Sequence, residues 1–182
     1  MDYKDVPTVP TLEERLKTLR GYSKEDIFEL SRQILPTSRL PTDFLNGLTE
    51  EDMATCLLAT LICWFVIGGT QVPRAMQLRA VLSDRHGKDS LIQVAAGTGS
   101  GKTLPIALNI LLDDPAKKLV TITFSPLKRL QVNQENDFNS RYGIPTVIIN
   151  QDTPDEDKWY QVCFTRLKVK SLKVLPMLGT CF

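Results

Sequence analysis

The chain has 182 residues, of which 42% are hydrophobic and 24% charged, a composition typical of an ordinary folded protein. Its formal net charge is +1, so no overall electrostatic field draws it to nucleic acid or to a membrane surface. Its four cysteines lack CxxC spacing and His86 is the single histidine, which argues against a zinc site or a disulfide framework. The polar amino terminus predicts no signal peptide, so an intracellular protein, nuclear or cytoplasmic, is expected.

Residues 1–70 predict a helical amino-terminal region. Thr11 and Ser23 each precede an acidic residue three positions on, the pattern of a capping box, and apolar residues follow at helical spacing. Pro36 ends the second of these patterns, and Thr49 begins a third. Three helices are therefore expected before residue 70.

The third helical pattern contains an uncharged stretch from Met53 to Gly69. Its length is at the short limit for a membrane-spanning helix, which leaves a membrane span as an alternative. Small and polar residues dilute its hydropathy, and acidic rather than basic residues precede it. These features favour a buried helix of a globular domain, with no membrane contact.

From residue 71 onward, strand patterns alternate with helix patterns. Helices are predicted over Met76–Leu82, Leu104–Leu112 and Leu127–Phe138, and strands over Leu91–Ala95, Leu119–Phe124 and Thr146–Ile149. Such alternation indicates an α/β fold with a parallel sheet, flanking helices and right-handed crossovers.

A glycine-rich loop connects the first of these strands to the helix at Leu104. The loop reads Ala96, Gly97, Thr98, Gly99, Ser100, Gly101, Lys102, Thr103. Its glycines permit positive φ and let backbone N–H groups approach phosphate oxygens, and the helix amino terminus adds unpaired donors. Lys102 is expected to reach the β- and γ-phosphates and the Thr103 hydroxyl to hold Mg²⁺. The alternative is a glycine-rich turn without a ligand.

Two further segments, together with the loop, resemble the first motor domain of superfamily 2 (DEAD/DEAH-box) helicases, in their RecQ-like branch. Upstream of the loop, Pro73-Arg74-Ala75-Met76-Gln77 stands where these helicases keep a glutamine that reads the adenine edge. The resemblance therefore implies a partial RecA-like P-loop NTPase domain that uses ATP and Mg²⁺, with Gln77 as a base-reading residue. A carboxamide suits that role because it donates and accepts at once. The alternative for Gln77 is an ordinary surface glutamine.

Downstream, the segment from Phe124 to Gln134 resembles the RecQ pattern S-P-L-x-x-L-x-x-[DN]-Q, which contacts the nucleic-acid backbone in that family. The resemblance implies DNA as a partner. The implied nucleic-acid-binding residues are Ser125, Pro126, Lys128, Arg129 and Gln134. The alternative for Lys128 and Arg129 is a solvated pair.

The resemblance covers a partial motor domain, residues 71–157, and leaves residues 158–182 as a basic tail without a family pattern. Phosphoryl transfer in this family also needs an acidic motif after an apolar strand and a second motor domain. Neither is found, so no catalytic residue is predicted, and a truncated helicase that does not unwind nucleic acid by itself is expected. A small-molecule P-loop kinase and a non-catalytic nucleotide- or DNA-binding remnant remain alternatives.

Overall fold

The structure, a computed structural model, describes residues 10–86, 99–117, 119–124, 127–148 and 171–176. The helices in these ranges are α1 (Leu12–Arg20), α2 (Lys24–Ile34), α3 (Thr42–Leu45), α4 (Glu50–Val66), α5 (Ala75–His86), α6 (Thr103–Leu112) and α7 (Lys128–Asn136). The strands are β1 (Leu119–Phe124) and β2 (Ser171–Pro176), and α7 continues as a π-helical turn, Asp137–Arg141.

The amino-terminal helices begin at the predicted caps. The Thr11 hydroxyl accepts from the Glu14 N–H at 3.3 Å, and Glu14 Oε2 accepts from the Thr11 N–H at 2.8 Å. Ser23 and Asp26 repeat this reciprocal pair at the start of α2. Thr49 caps α4 by accepting from the N–H three residues on, at 3.2 Å. These side chains satisfy backbone donors that a helix start otherwise leaves without partners.

Helix α4 is the centre of the hydrophobic core. Its side chains Cys56, Leu61 and Ile62 are fully buried, and the helix contacts α1, α2, α5 and α6. The uncharged stretch is therefore a core helix, as predicted. In the described part of the chain, the helices all fall short of the length and apolarity needed to cross a membrane.

Two arginines from different helices hold the carboxyl-terminal end of α6. The Arg20 guanidinium, at the end of α1, donates from Nε (2.8 Å) and Nη2 (2.6 Å) to the Leu111 carbonyl. On α5, Arg85 Nη2 donates to the Asn109 carbonyl (3.2 Å) and pairs with Asp113 Oδ1 (3.1 Å). A cation near the carboxyl end of a helix is favourable, because carbonyls there lack intrahelical partners. These contacts fix α6, and with it the loop at its amino terminus, against α1 and α5.

The described strands form one parallel pair, with Leu119 opposite Ser171 and Phe124 opposite Pro176. Strand β1 has the predicted bounds, whereas β2 lies in the segment expected to be a basic tail and was not predicted. The predicted strand Leu91–Ala95 lies outside the described residues, so the predicted sheet is seen only as this pair.

The strand predicted over Thr146–Ile149 is wrong over 146–148, and Ile149 lies outside the described residues. Side chains from the α7 region take its backbone groups instead. Asn139 Oδ1 accepts from the Thr146 N–H (3.0 Å), Asn139 Nδ2 donates to the Thr146 carbonyl (3.1 Å), and Glu135 Oε1 accepts from the Ile148 N–H (3.3 Å). The side chains of Asn139 and Glu135 thus take the hydrogen bonds that a neighbouring strand would otherwise make with this run.

We expect Leu61→Ala to lower the free energy of unfolding by about 2–5 kcal/mol, because it leaves a cavity in the centre of the core. The same substitution at Leu127, which is 53% exposed, provides the control and should cost less than about 1 kcal/mol. Urea denaturation of both variants measures the difference. Equal losses would show that α4 is not the core helix.

Candidate nucleotide site

The described part of the glycine-rich loop has the backbone geometry that the motif predicts. Gly99 and Gly101 have φ of +77° and +78°, values that L side chains rarely adopt. Lys102 is exposed at the amino-terminal cap of α6, and Thr103 is the first residue of that helix. The loop therefore presents a lysine and a hydroxyl at a helix amino terminus, the arrangement that binds phosphate. Gly97 and Thr98 lie outside the described residues.

Gln77 is buried against this loop, with only 5% of its surface exposed. Its Oε1 accepts from the Arg74 N–H at 2.8 Å, and its Nε2 donates to the Gly101 carbonyl at 2.9 Å and, more weakly, to the Ser100 carbonyl at 3.4 Å. The carboxamide oxygen thus binds the start of its own helix, α5, and the carboxamide nitrogen binds the loop. The alternative of a surface glutamine is excluded by this burial.

Gly101 leaves no room for a larger residue at this contact. A Cβ built on Gly101 would lie 2.5 Å from Gln77 Nε2, whereas one built on Gly99 would meet nothing within 4 Å. Both glycines have nearly the same φ, so they differ in this contact and not in φ. Gly101 is therefore needed both for the turn and for the close approach of Gln77.

A cavity of about 850 Å³ opens beside Gln77 and the loop. Its walls are the run from Thr70 to Ala75, the loop glycines, and the side chains of Arg39, Arg141 and Tyr142. With Arg74 in the first of these walls, three arginines line the cavity, and no aspartate or glutamate is among the described lining residues. A cavity of this volume, with positively charged side chains in its wall, suits an anionic ligand such as a nucleotide.

Ser100 adds a polar group that the described chain does not use. Its Oγ is buried and has no hydrogen-bond partner among the described residues. A buried hydroxyl without a partner is costly, so a ligand that supplies one is favoured. Ser100 lies in the cavity wall beside Gly101, where that ligand would be a phosphate oxygen.

The metal prediction depends on Thr103. This residue is half-buried at the start of α6, and within the described ranges there is no cluster of three or more His, Cys, Asp or Glu that could hold a metal ion. Magnesium bound with a nucleotide needs few protein ligands, because phosphate oxygens and water complete its shell. The Thr103 hydroxyl beside the loop fits that role, and the prediction is retained.

Covalent chemistry at the cavity is not supported by the nearby thiol. Cys63 is buried behind the cavity wall, and its Sγ donates to the Gln71 carbonyl at 3.8 Å. Burial raises the pKa of Cys63 to about 12, so the thiolate needed for nucleophilic attack is scarce at neutral pH. Cys63 is a core residue.

The predicted nucleic-acid segment is only partly described. Lys128 and Arg129 are exposed in the first turn of α7, while Ser125 and Pro126 lie outside the described residues. Gln134 is 7% exposed, so little of its side chain is available to a ligand in this conformation. The role of each of these residues stays a prediction.

Arg39, Arg141 and Tyr142 were not predicted as site residues. They come from the short 3-10 turn after α2 and from the end of the π-helical turn. Each of these residues is far from the loop in sequence, and none belongs to a recognisable motif. Only the tertiary fold brings them to the cavity.

Comparison with known proteins identifies the family. The model of the DEAD/DEAH box helicase family matches residues 74–174, more than half of the chain. The chain belongs to the DEAD/DEAH box helicase family. The match supports a RecA-like fold for this region, and it favours the helicase interpretation over the small-molecule kinase. It also extends into the segment expected to be a tail.

Curated relatives give a similar result over a shorter region. The chain is 32% identical over 68 residues to the ATP-dependent RNA helicase FAL1 of Scheffersomyces stipitis, and 34% identical over 68 residues to FAL1 of Eremothecium gossypii. These regions cover 37% and 36% of this chain, and the chain spans only 17% of the length of either relative. The matches support a superfamily 2 helicase but not its RecQ-like branch. No solved structure matches the chain.

Comparing Gly101→Ala with Gly99→Ala tests the Gln77 contact. Positive φ should cost each variant about 1–2 kcal/mol of stability. Gly101→Ala should lose about 1–2 kcal/mol more, because the new methyl group displaces the Gln77 amide from its hydrogen bonds. Denaturant unfolding measures both losses.

The same pair of substitutions in a Gln77→Ala background provides the control. There the excess loss at position 101 should disappear, because the displaced side chain is absent. An excess that persists, or equal losses at positions 99 and 101 in the native background, would contradict the contact.

Proposed function

We propose that this DEAD/DEAH box helicase chain binds ATP with Mg²⁺ in the cavity between the glycine-rich loop and the Thr70–Ala75 run, and that it binds nucleic acid along α7. The observation that supports the nucleotide proposal most directly is the buried Gln77, whose amide contacts the loop at 2.9 Å beside an arginine-lined cavity. This contact brings the predicted base-reading side chain and the predicted phosphate-binding loop to the same site.

Each loop residue has a role in this proposal. Lys102 contacts the β- and γ-phosphates, Thr103 holds Mg²⁺, and the Ser100 hydroxyl donates to a phosphate oxygen. Gly99 and Gly101 supply the backbone curvature and N–H groups around the phosphates. The sequence motif assigns the same phosphate-binding role to Gly97 and Thr98, which lie outside the described residues. Charge-assisted hydrogen bonds to phosphate are stronger than neutral ones, so Lys102 should contribute the largest single share.

In this proposal, Gln77 turns its carboxamide from the loop to the base when ATP binds. Its donor is engaged by the Gly101 carbonyl and its acceptor by the Arg74 N–H. Adenine offers a donor and an acceptor along the same edge, and a carboxamide can match both. Reading adenine keeps the number of hydrogen bonds that Gln77 makes, whereas the Arg74 N–H and the Gly101 carbonyl have to find partners in the ligand or in water.

The nucleic-acid partner follows from two different observations. The FAL1 relatives are named RNA helicases, which favours RNA. The segment Ser125 to Gln134 resembles the RecQ pattern, which favours DNA. Lys128 and Arg129 are exposed side by side in the first turn of α7 and suit the phosphate backbone of either. We propose RNA as the primary partner, because the similarity to the FAL1 relatives extends over 68 residues, whereas the RecQ resemblance of this segment is a single motif. DNA is the second candidate.

Lys102→Ala should weaken ATP·Mg²⁺ binding at least about tenfold, the effect of losing a charge-assisted contact of roughly 1.5–3 kcal/mol. Titration calorimetry on the purified chain measures the change. Lys117→Ala, an exposed lysine just after α6, is the matched control and should bind like the native chain. Unchanged affinity in Lys102→Ala would contradict the loop assignment.

Single-stranded RNA should bind more tightly than DNA of the same sequence, and both affinities should fall steeply as salt rises, because phosphate contacts release counterions. Lys128→Ala together with Arg129→Ala should flatten the salt dependence of binding by a slope of about 1–2. Fluorescence anisotropy between low and moderate salt measures both effects. A preference for DNA would favour the RecQ-type candidate, and a native salt slope in the double variant would exclude α7 from the interface.

A further inference from the structure

The corner formed by Arg141 and Tyr142 lies in the cavity wall although it belongs to neither the loop nor the glutamine segment. Arg141 is the last residue of the π-helical turn after α7, and Tyr142 comes directly after that turn. An insertion of this kind often marks a functional position, because it re-aims the side chains that follow it. The position of these two residues in the cavity wall therefore suggests a role in ligand binding.

Arg141 is held from two directions. Its Nη2 donates to Gln71 Oε1 at 3.0 Å, and its guanidinium carbon lies 5.6 Å from the centre of the Tyr142 ring. Gln71 belongs to the run that leads to Arg74 and Gln77. The guanidinium is thus attached to the same wall of the cavity that carries the proposed base-reading residue.

The platform beneath Arg141 is rigid. Tyr142 is only 4% exposed, and its ring contacts Phe138 with 6.1 Å between centroids. The Tyr142 N–H donates to the Asp137 carbonyl, and Gly143 turns the chain with φ of +64°. Burial raises the pKa of Tyr142, so the ring stays neutral beside the guanidinium. A cation held in a fixed position on a buried ring loses little freedom on binding a ligand.

The charge and the position of Arg141 together indicate its ligand. The phosphates of a nucleotide belong at the amino terminus of α6 with Lys102, whereas Arg141 is tied through Gln71 to the wall beside Gln77. A guanidinium differs from an ammonium in that it is planar and stacks on aromatic faces. A purine is the part of the nucleotide that offers such a face on this side of the cavity.

We propose that Arg141 stacks on the purine base of the bound nucleotide and is a specificity-determining residue of this site. The inference rests on the proposed ATP-binding function. Gln71 acts as a positioning residue, since its side-chain oxygen holds the guanidinium while Tyr142 supports it from below. Gln77 then reads the edge of the base and Arg141 contacts its face.

The test compares two probes, ATP·Mg²⁺ and inorganic triphosphate with Mg²⁺, by titration calorimetry on the full chain. Arg141→Ala should weaken ATP binding about fivefold to tenfold and leave triphosphate binding unchanged, because triphosphate has no base to stack. Arg141→Lys should weaken ATP binding almost as much, because an ammonium keeps the positive charge but lacks the planar group that stacks on a base. Gln71→Ala should weaken ATP binding by a smaller factor. Arg32→Ala, an exposed arginine on α2 outside the cavity, is the control.

The outcomes separate this inference from the proposed function. A native chain that binds neither probe would overturn the proposed function itself. Native ATP affinity in Arg141→Ala, or an equal loss for ATP and triphosphate, would overturn only the stacking role. If thermal melting shows that Arg141→Ala does not fold, Arg141→Lys decides: full ATP affinity in that variant would likewise overturn the proposal.

Discussion

The hydrogen bond from the Gln77 amide to the Gly101 carbonyl, 2.9 Å long and buried, is the contact on which the site depends. It joins the first turn of α5 to the loop before α6, two segments that are otherwise held together through the core. Because the other end of the same carboxamide accepts from the Arg74 N–H, one side chain fixes both its own helix start and the loop. A ligand that engages Gln77 therefore acts on the loop as well.

The rest of the described fold keeps α5 and α6 in the positions that this contact requires. Leu78 and Val81 on α5 are buried in the core around α4, and so are Leu104 and Leu108 on α6. Arg20 and Arg85 then hold the carboxyl end of α6 through carbonyl contacts. The amino-terminal helices are thus part of the same core as the loop helix, and they support the candidate nucleotide site.

The sequence predicts the elements whose signals are local. The capping boxes at Thr11 and Ser23, the β-branched strand Leu119–Phe124 and the helix that begins at the loop are all confirmed, since each depends on residues close together in the chain. The burial of Gln77 against the loop depends on tertiary packing that no local pattern contains, and its base-reading role stays a prediction.

The failures of prediction have equally physical causes. Thr146 to Ile148 has the composition of a strand, but the side chains of Asn139 and Glu135, seven and thirteen positions before their partners, bind its backbone groups instead. Strand propensity does not contain this choice of partner. Arg141 reaches the cavity through the π-helical turn, and no sequence signal marks that turn.

If the Gln77 carboxamide exchanges its loop contact for the adenine edge, the base preference of nucleotide binding should depend on this side chain. ATP and GTP affinities should be measured by calorimetry for the native chain and for Gln77→Glu, which keeps the acceptor for the Arg74 N–H but removes the donor. The native chain should prefer ATP by about fivefold or more, a difference of about 1 kcal/mol, and Gln77→Glu should abolish the preference. Equal affinities in the native chain, or an unchanged preference in Gln77→Glu, would contradict the exchange.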